Sequence, residues 1–175
     1  VAVNKKIITE IKKGLVLLVG VYKGDDFLDA DKAVDKIINL RIFSDQDGKM
    51  NLSIQDIGGA IMVISQFTLC GDIKKGRRPS FINAENPEKG LELYQYMVNR
   101  FRENGINTVT GEFGAMMDVS LVNEGPSTFV INSKGIIKYR HIGPITEKVY
   151  KKINLLINLF YYKKPNWCII LIFFS

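Results

Sequence analysis

Two strongly apolar stretches stand out along the chain, Leu15–Tyr22 (LVLLVGVY) and Ala60–Leu69 (AIMVISQFTL), the second holding Ser65, Gln66 and Thr68 near its end. Their length and β-branched content predict strands buried on both faces. Two other stretches carry the helical period. Between Phe27 and Phe43 the apolar residues fall at 27, 28, 30, 33, 34, 37, 38 and 40, one face of a helix that Asp25-Asp26 can start. Between Leu91 and Phe101 they fall at 91, 93, 94, 97, 98 and 101, with Pro87 placed to open that helix and Gly105 to close it. Looser alternation predicts a strand or hairpin over Val1–Ile11, turning near Lys5-Lys6. It also predicts short strands at Met50–Ile54, Val109–Ala115, Asp118–Val122, Thr128–Ile131 and Ile136–Ile142. Turn chemistry separates them at Ser44–Gly48, Gly58-Gly59, Asn123–Pro126 and Asn132–Gly135. The helices do not alternate regularly with the strands, which argues against a doubly wound parallel sheet. The expected class is α+β, a curved, mainly antiparallel or mixed sheet with two main helices. A further helix is expected over Thr146–Tyr162, stopped by Lys163-Lys164-Pro165. The final WCIILIFFS is apolar but far short of the ~20 residues a membrane-spanning helix needs. If exposed, it is an aggregation hazard.

Composition narrows the chemistry. At 175 residues, 46% apolar and 24% charged, the chain can bury one core. The two cysteines, Cys70 and Cys168, form no C-x-x-C pair and no disulfide framework, which fits a reducing, cytoplasmic compartment. The single histidine, His141, leaves no material for a multi-histidine metal site and little for a histidine-based triad, so no metal or cofactor is expected. The net charge of +6 invites a nucleic-acid reading, but its distribution weakens it. Residues 1–131 carry a net −1 and residues 132–175 a net +7. Within the first part the one dense basic cluster is Lys74-Lys75-Gly76-Arg77-Arg78, able to hold nucleic-acid phosphates or simply to be a solvated loop.

Candidate chemistry gathers at two places. Ser65-Gln66-Phe67-Thr68 ends the second apolar run. Its hydroxyls could act as nucleophiles or donors, and Gln66 or the local backbone N–H groups could stabilise an oxyanion. Spacing alone favours a strand end whose polar groups are simply satisfied. Asn123-Glu124-Gly125-Pro126-Ser127-Thr128 contains a Gly-Pro that is either an ordinary turn or, with a cis bond, a rigid backbone surface able to clash with one enantiomer of a substrate. Phe113, Met116 and Met117 read as core or pocket wall, and His141 as a polar strand residue. Asp25, Asp26, Asp29 and Asp31 suit a helix N-terminus.

Taken together, SQFTL at 65–69 and NEGPST at 123–128 resemble the two signature motifs of bacterial D-aminoacyl-tRNA deacylases, S-Q-x-x-T and N-x-G-P-x-T. GLVLLVGV at 14–21, LRIFSDQDGKMNLSIQDIGGAIMVISQFTL, RRPSF and TGEFGAMMDVSLVNEGP look like the same family in order and spacing, so the resemblance covers residues 1–131. It implies hydrolysis of the ester joining a D-amino acid, or mischarged glycine, to tRNA. It implies a homodimer in which the cis Gly125-Pro126 of one subunit enters the partner's pocket and leaves no room for an L side chain. Carried over, Ser65, Gln66, Phe67 and Thr68 form the ester-binding wall, and Asn123, Gly125, Pro126 and Thr128 the chiral filter. Lys74, Lys75, Arg77 and Arg78 are the candidate phosphate contacts. A 2′-hydroxyl-assisted water ranks above Thr68 as covalent nucleophile. The implied partner is the aminoacylated end of tRNA, with no cofactor and no membrane partner.

The chain departs from the family at both ends. The family's first strand, of the form I-Q-R-V, has no counterpart before Val1. After residue 131 a further 44 residues follow, and GPSTFVINSKGIIKYRHIGPITEKVYKKI at 125–153 resembles the C-terminal part of thioredoxin-like cytochrome c biogenesis proteins, without a C-x-x-C. The expected organisation is therefore a deacylase domain at 1–131 and a divergent basic and apolar tail at 132–175. An inactive tRNA-end or protein-binding remnant is the alternative, and a membrane-surface protein using the tail is a third.

Overall fold

The first seven residues fold as a tight hairpin in a computed structural model that describes residues 1–72, 77–122, 127–132, 137–142 and 168–174. Strand β1 (Ala2–Val3) pairs antiparallel with β2 (Lys6–Ile7) through Asn4 and Lys5, both at positive φ (51° and 63°). That is the backbone a two-residue hairpin turn demands. The apolar run follows as β3 (Gly14–Gly20).

Helix α1 (Phe27–Asn39) starts on Asp26, whose carboxylate accepts the Asp29 N–H at 2.9 Å. It stops four residues short of the expected Phe43. Leu40 turns extended, and the buried Leu40, Ile42 and Phe43 continue as strand-like chain, so burial outcompetes the helical period there. A two-stranded ribbon follows, β4 (Phe43–Ser44) with β5 (Met50–Leu52). The second apolar run is β6 (Ala60–Ser65), but it ends before Leu69, because residues Phe67–Cys70 wind into a 3-10 turn. Helix α2 (Pro87–Glu103) is capped by Asn86, which accepts the Lys89 N–H at 2.9 Å.

The strands expected at Val109–Ala115 and Asp118–Val122 are shorter and shifted, as β7 (Asn107–Thr110) and β8 (Met117–Asp118). The chain closes with β9 (Ser127–Asn132), β10 (Ile137–Ile142) and β11 (Cys168–Phe174). The helix expected over Thr146–Tyr162 lies outside the described residues.

The main sheet has six strands in the order β10-β9-β11-β3-β6-β7. It is mixed: β3, β6 and β7 run parallel, joined by crossovers that contain α1 and α2, while β11 is antiparallel to both β3 and β9. The apolar end of the chain is therefore inserted between two strands, paired along both edges. Both helices pack on one face of the sheet, where Leu15, Leu17, Ile61, Val63, Phe129 and Ile131 meet Ala33, Ile37, Leu93, Met97 and Phe101 in one core. The opposite face carries Val16, Met62 and Ile64, covered by Val1, Ile11, Met117 and Leu121 from the small sheet β2-β1-β8 and its flanks. Among the described residues the chain adopts an α+β fold with two α-helices and a mixed sheet. Among the described residues no helix is long and apolar enough to cross a membrane.

Candidate active site

The end of β6 is where buried chain turns polar and surfaces. Ser65 is half-buried and in register with Val19 of β3. The Gln66 N–H still donates to the Val19 carbonyl (2.7 Å), the last rung of the ladder. Gln66 then leaves the strand conformation (φ −144°, ψ 77°) and the 3-10 turn begins. Its carbonyl accepts the Leu69 N–H at 3.1 Å, and the Thr68 carbonyl accepts the Gly71 N–H at 3.1 Å. The Gln66 side-chain amide donates to the Thr68 hydroxyl, so the two polar side chains of the segment face one another. The N–H groups of Phe67 and Thr68 open the turn and so have no acceptor within it.

Two glycines allow this arrangement. A Cβ on Gly20 would sit 3.0 Å from Leu69 Cβ, 3.1 Å from Cys70 Sγ and 3.1 Å from the Gln66 carbonyl, so β3 can approach the turn closely only without a side chain there. A Cβ on Gly71 would lie 2.8 Å from Cε1 of Phe81. With that space open, Phe81 sits against the turn and meets Phe67 edge to face, ring centres 5.0 Å apart. Phe67 is nonetheless 59% exposed, an unusual position for a phenylalanine.

The segment after β3 ties the walls together. The Tyr22 hydroxyl donates to the Leu69 carbonyl (3.0 Å), and the buried Cys70 thiol donates to the Val21 carbonyl (3.4 Å). The Glu85 N–H donates to the Val21 carbonyl and the Lys23 N–H to the Asn83 carbonyl, which holds the chain that carries Phe81. The Glu85 carboxyl is held below its ordinary range, chiefly by the Asn86 N–H it accepts. Spacing did not reveal Tyr22, Phe81, Gly20 or Gly71 as parts of this site. The one signal available was Gly20 interrupting an otherwise apolar strand, which marks a close backbone approach.

The basic loop leaves the same turn. Asp72 and Ser80 exchange both backbone hydrogen bonds at 2.7 Å and close its base, and Arg77 and Arg78 are exposed on it. Lys74 and Lys75 lie outside the described residues. So do Asn123, Gly125 and Pro126, and with them the state of the Gly-Pro bond.

Thr128, the last motif residue, is described, and it lies far from Ser65. It is buried (1% exposed), with no hydrogen-bond partner for its hydroxyl among the described residues. The ladder aligns it through Ile172 with Val16, and Val16 with Met62. Ser65 is aligned instead through Val19 and Ile169 with Ile131. The two residues are three strands apart and three residues out of level, roughly 17 Å by strand geometry. The chain enters β9 at the end of the sheet opposite the Ser65 turn, so one copy does not bring Thr128 to Ser65. His141 of β10 pairs in register with Thr128, one strand further from the turn.

The chain is similar to known proteins over most of its length. The family model described as D-Tyr-tRNA(Tyr) deacylase matches residues 1–132. A D-aminoacyl-tRNA deacylase of Syntrophus aciditrophicus is 52% identical over 134 residues, 77% of this chain and 90% of the relative. A Bacillus subtilis protein named an inactive D-aminoacyl-tRNA deacylase is 52% identical over 131 residues, 75% of this chain and 99% of its own length. Among solved structures, a c-Myc DNA unwinding element binding protein superposes with a TM-score of 0.66 at 28% identity, covering 82% of this chain and 91% of that one.

Proposed function

Because the chain belongs to the D-aminoacyl-tRNA deacylase family, a family of hydrolases, we propose that it removes D-amino acids and mischarged glycine from tRNA with a site completed by a second copy of itself. The observation that carries the reading is the turn after β6. A strand buried along its length surfaces at Gln66, Phe67 and Thr68 and presents there a side-chain amide, a hydroxyl and the opening N–H groups of a 3-10 turn. Those donors suit a tetrahedral intermediate, whose oxyanion gains most from donors already held in place.

Water attacks the ester carbonyl, assisted by the 2′-hydroxyl of the terminal ribose. The oxyanion sits against the Phe67 N–H and the Gln66 amide while the bond to the ribose 3′-oxygen breaks, releasing a free amino acid and tRNA. Ser65 and Thr68 line the ester-binding wall. The lone His141 is remote from the turn, which favours this substrate-assisted route over a side-chain nucleophile activated by histidine.

Gly125 and Pro126, flanked by Asn123 and Thr128, act as the chiral filter through a cis bond, their carbonyls closing the space an L side chain would need. The opposite ends of the sheet at which Ser65 and the start of β9 lie in one chain support a filter delivered by the partner of a homodimer. Lys74, Lys75, Arg77 and Arg78 hold the phosphates of the acceptor end, in the cytoplasm.

The relative named inactive favours one other reading, a chain that keeps the fold and binds without hydrolysing. Tyrosine release from D-Tyr-tRNA and L-Tyr-tRNA by the purified protein and by Pro126→Ala separates the two. The wild type releases D-tyrosine selectively, and the variant loses discrimination by ~10-fold or more. No D-selective release in the wild type defeats the hydrolase, and full discrimination in the variant defeats the role given to Pro126.

A further inference from the structure

We propose that Tyr22 is a positioning residue for the hydrolytic turn, its hydroxyl fixing the 3-10 segment that presents Gln66, Phe67 and Thr68 to the ester. The turn is four residues long. Such a short 3-10 segment has poor internal hydrogen-bond geometry and little stability of its own. Its last carbonyls have no acceptor role within it. One of them, on Leu69, accepts the Tyr22 hydroxyl at 3.0 Å, a bond that spans 47 residues of sequence. Tyr22 is itself fixed at several points. Its side chain is buried, its N–H donates to the Asp25 carboxylate at 2.7 Å, and its carbonyl accepts the Asp25 N–H at 3.1 Å. Asp25 is almost fully buried, so this tight turn is part of the interior and not a mobile rim.

The hydroxyl therefore connects a rigid support to a weak presenting element. The neighbouring bonds, Gln66 N–H to Val19 and the Cys70 thiol to Val21, hold the two ends of the turn. The Tyr22 bond reaches the carbonyl between them from outside the turn. With that bond removed the turn can rotate about its ends, and the donors at Gln66, Phe67 and Thr68 move together. Donors misplaced by a fraction of an ångström lose effect on the transition state before they lose effect on ground-state binding. Since most of the substrate's binding surface is tRNA, the loss appears in kcat and leaves KM in place.

The proposal rests on the hydrolytic role of the Gln66–Thr68 turn, and the test keeps the two apart. Tyr22→Phe retains the ring and deletes one hydroxyl. Tyr94→Phe is the matched control, a buried tyrosine whose hydroxyl donates to the Val63 carbonyl at 2.7 Å within β6. That carbonyl keeps the Gly111 N–H at 3.1 Å when the hydroxyl is gone. Steady-state hydrolysis of D-Tyr-tRNA is measured for wild type and both variants, each at the same interval below its own Tm. Tyr22→Phe is expected to lower kcat by about 10-fold with KM within about twofold of wild type, whereas Tyr94→Phe keeps kcat within about twofold. Equal kcat in Tyr22→Phe and wild type overturns the proposal, as does a loss shared by both variants in proportion to their Tm. A Tyr22→Phe chain that no longer melts cooperatively also overturns it, since the hydroxyl would then hold the fold and not the turn. A wild type without activity on D-Tyr-tRNA fails the hydrolase reading first, and with it the role of the turn on which this one stands.

Discussion

Tyr94 shows how one buried hydroxyl is read at the scale of the residue. Its ring lies in the core against Phe113, ring centres 5.6 Å apart, and its hydroxyl donates to Val63. Burial is the largest effect on the phenol and pushes its pKa up to about 12 from an ordinary 10. The sign of the pH dependence follows. The folded state holds its proton more tightly than the unfolded state, so this contribution is whole below pH ~10 and is lost as pH rises towards 12. Its size is on the order of 3 kcal/mol, since each tenfold difference in proton affinity between the two states is worth about 1.4 kcal/mol. Urea melts of wild type and Tyr94→Phe between pH ~8 and ~12 check it: the wild type loses stability over the upper half of that range, and the variant's curve is flatter. Parallel curves would sink it. At this scale the sequence was legible only where a motif marked the residue. Gln66 and Thr68 stand out because polar side chains end an apolar run. Tyr22 and Phe81 do not, because what matters about them is a bond or ring contact to a turn far along the chain, and no local pattern encodes that.

At the scale of the element, the helix starts were the most readable feature, since a cap is local chemistry. Asp26 and Asn86 each accept an N–H three residues on, from Asp29 and Lys89 at 2.9 Å. Each alanine substitution is expected to cost ~1 kcal/mol, a fall in Tm of about 2–4 °C for a chain of this size. Thermal melts of Asp26→Ala and Asn86→Ala followed by circular dichroism check this, and no shift in either would show that water replaces the cap. Element ends set by tertiary packing were less readable. The periodicity of Phe27–Phe43 runs on past Asn39, yet Leu40, Ile42 and Phe43 are buried as extended chain. The apolar run Ala60–Leu69 reads as one strand, yet the close approach of Gly20 accommodates a turn at Phe67. In the first the apolar residues are buried as their composition implies, and only the backbone that buries them differs. In the second the turn lifts Phe67 out of the core and leaves it exposed.

At the scale of the whole molecule the least expected feature is the position of β11. By composition the last residues looked like an exposed apolar end, but a local pattern cannot say which edges a strand will find. Seven residues of β11 pair with β3 from Cys168↔Gly20 to Phe174↔Gly14, and five pair with β9 from Cys168↔Asn132 to Ile172↔Thr128. They join the β9-β10 hairpin to the β3-β6-β7 half of the sheet that carries the Phe67–Cys70 turn. Deleting residues 168–175 would leave two facing edges unpaired. Those edges cannot simply close in the present arrangement: β3 and β9 are both antiparallel to β11, so they would have to meet as a parallel pair after the hairpin moved inward by one strand spacing, about 4.8 Å. Until it did, each edge would present unpaired N–H and carbonyl groups, a template for association with other chains. The truncated chain is therefore expected to lose its cooperative melt and to associate, seen by circular dichroism and size-exclusion chromatography. Adding a synthetic peptide of residues 168–174 should restore part of the melt by strand addition. A truncated chain that stays monodisperse, melts within a few degrees of the full chain and ignores the peptide would show that β11 is dispensable to the sheet.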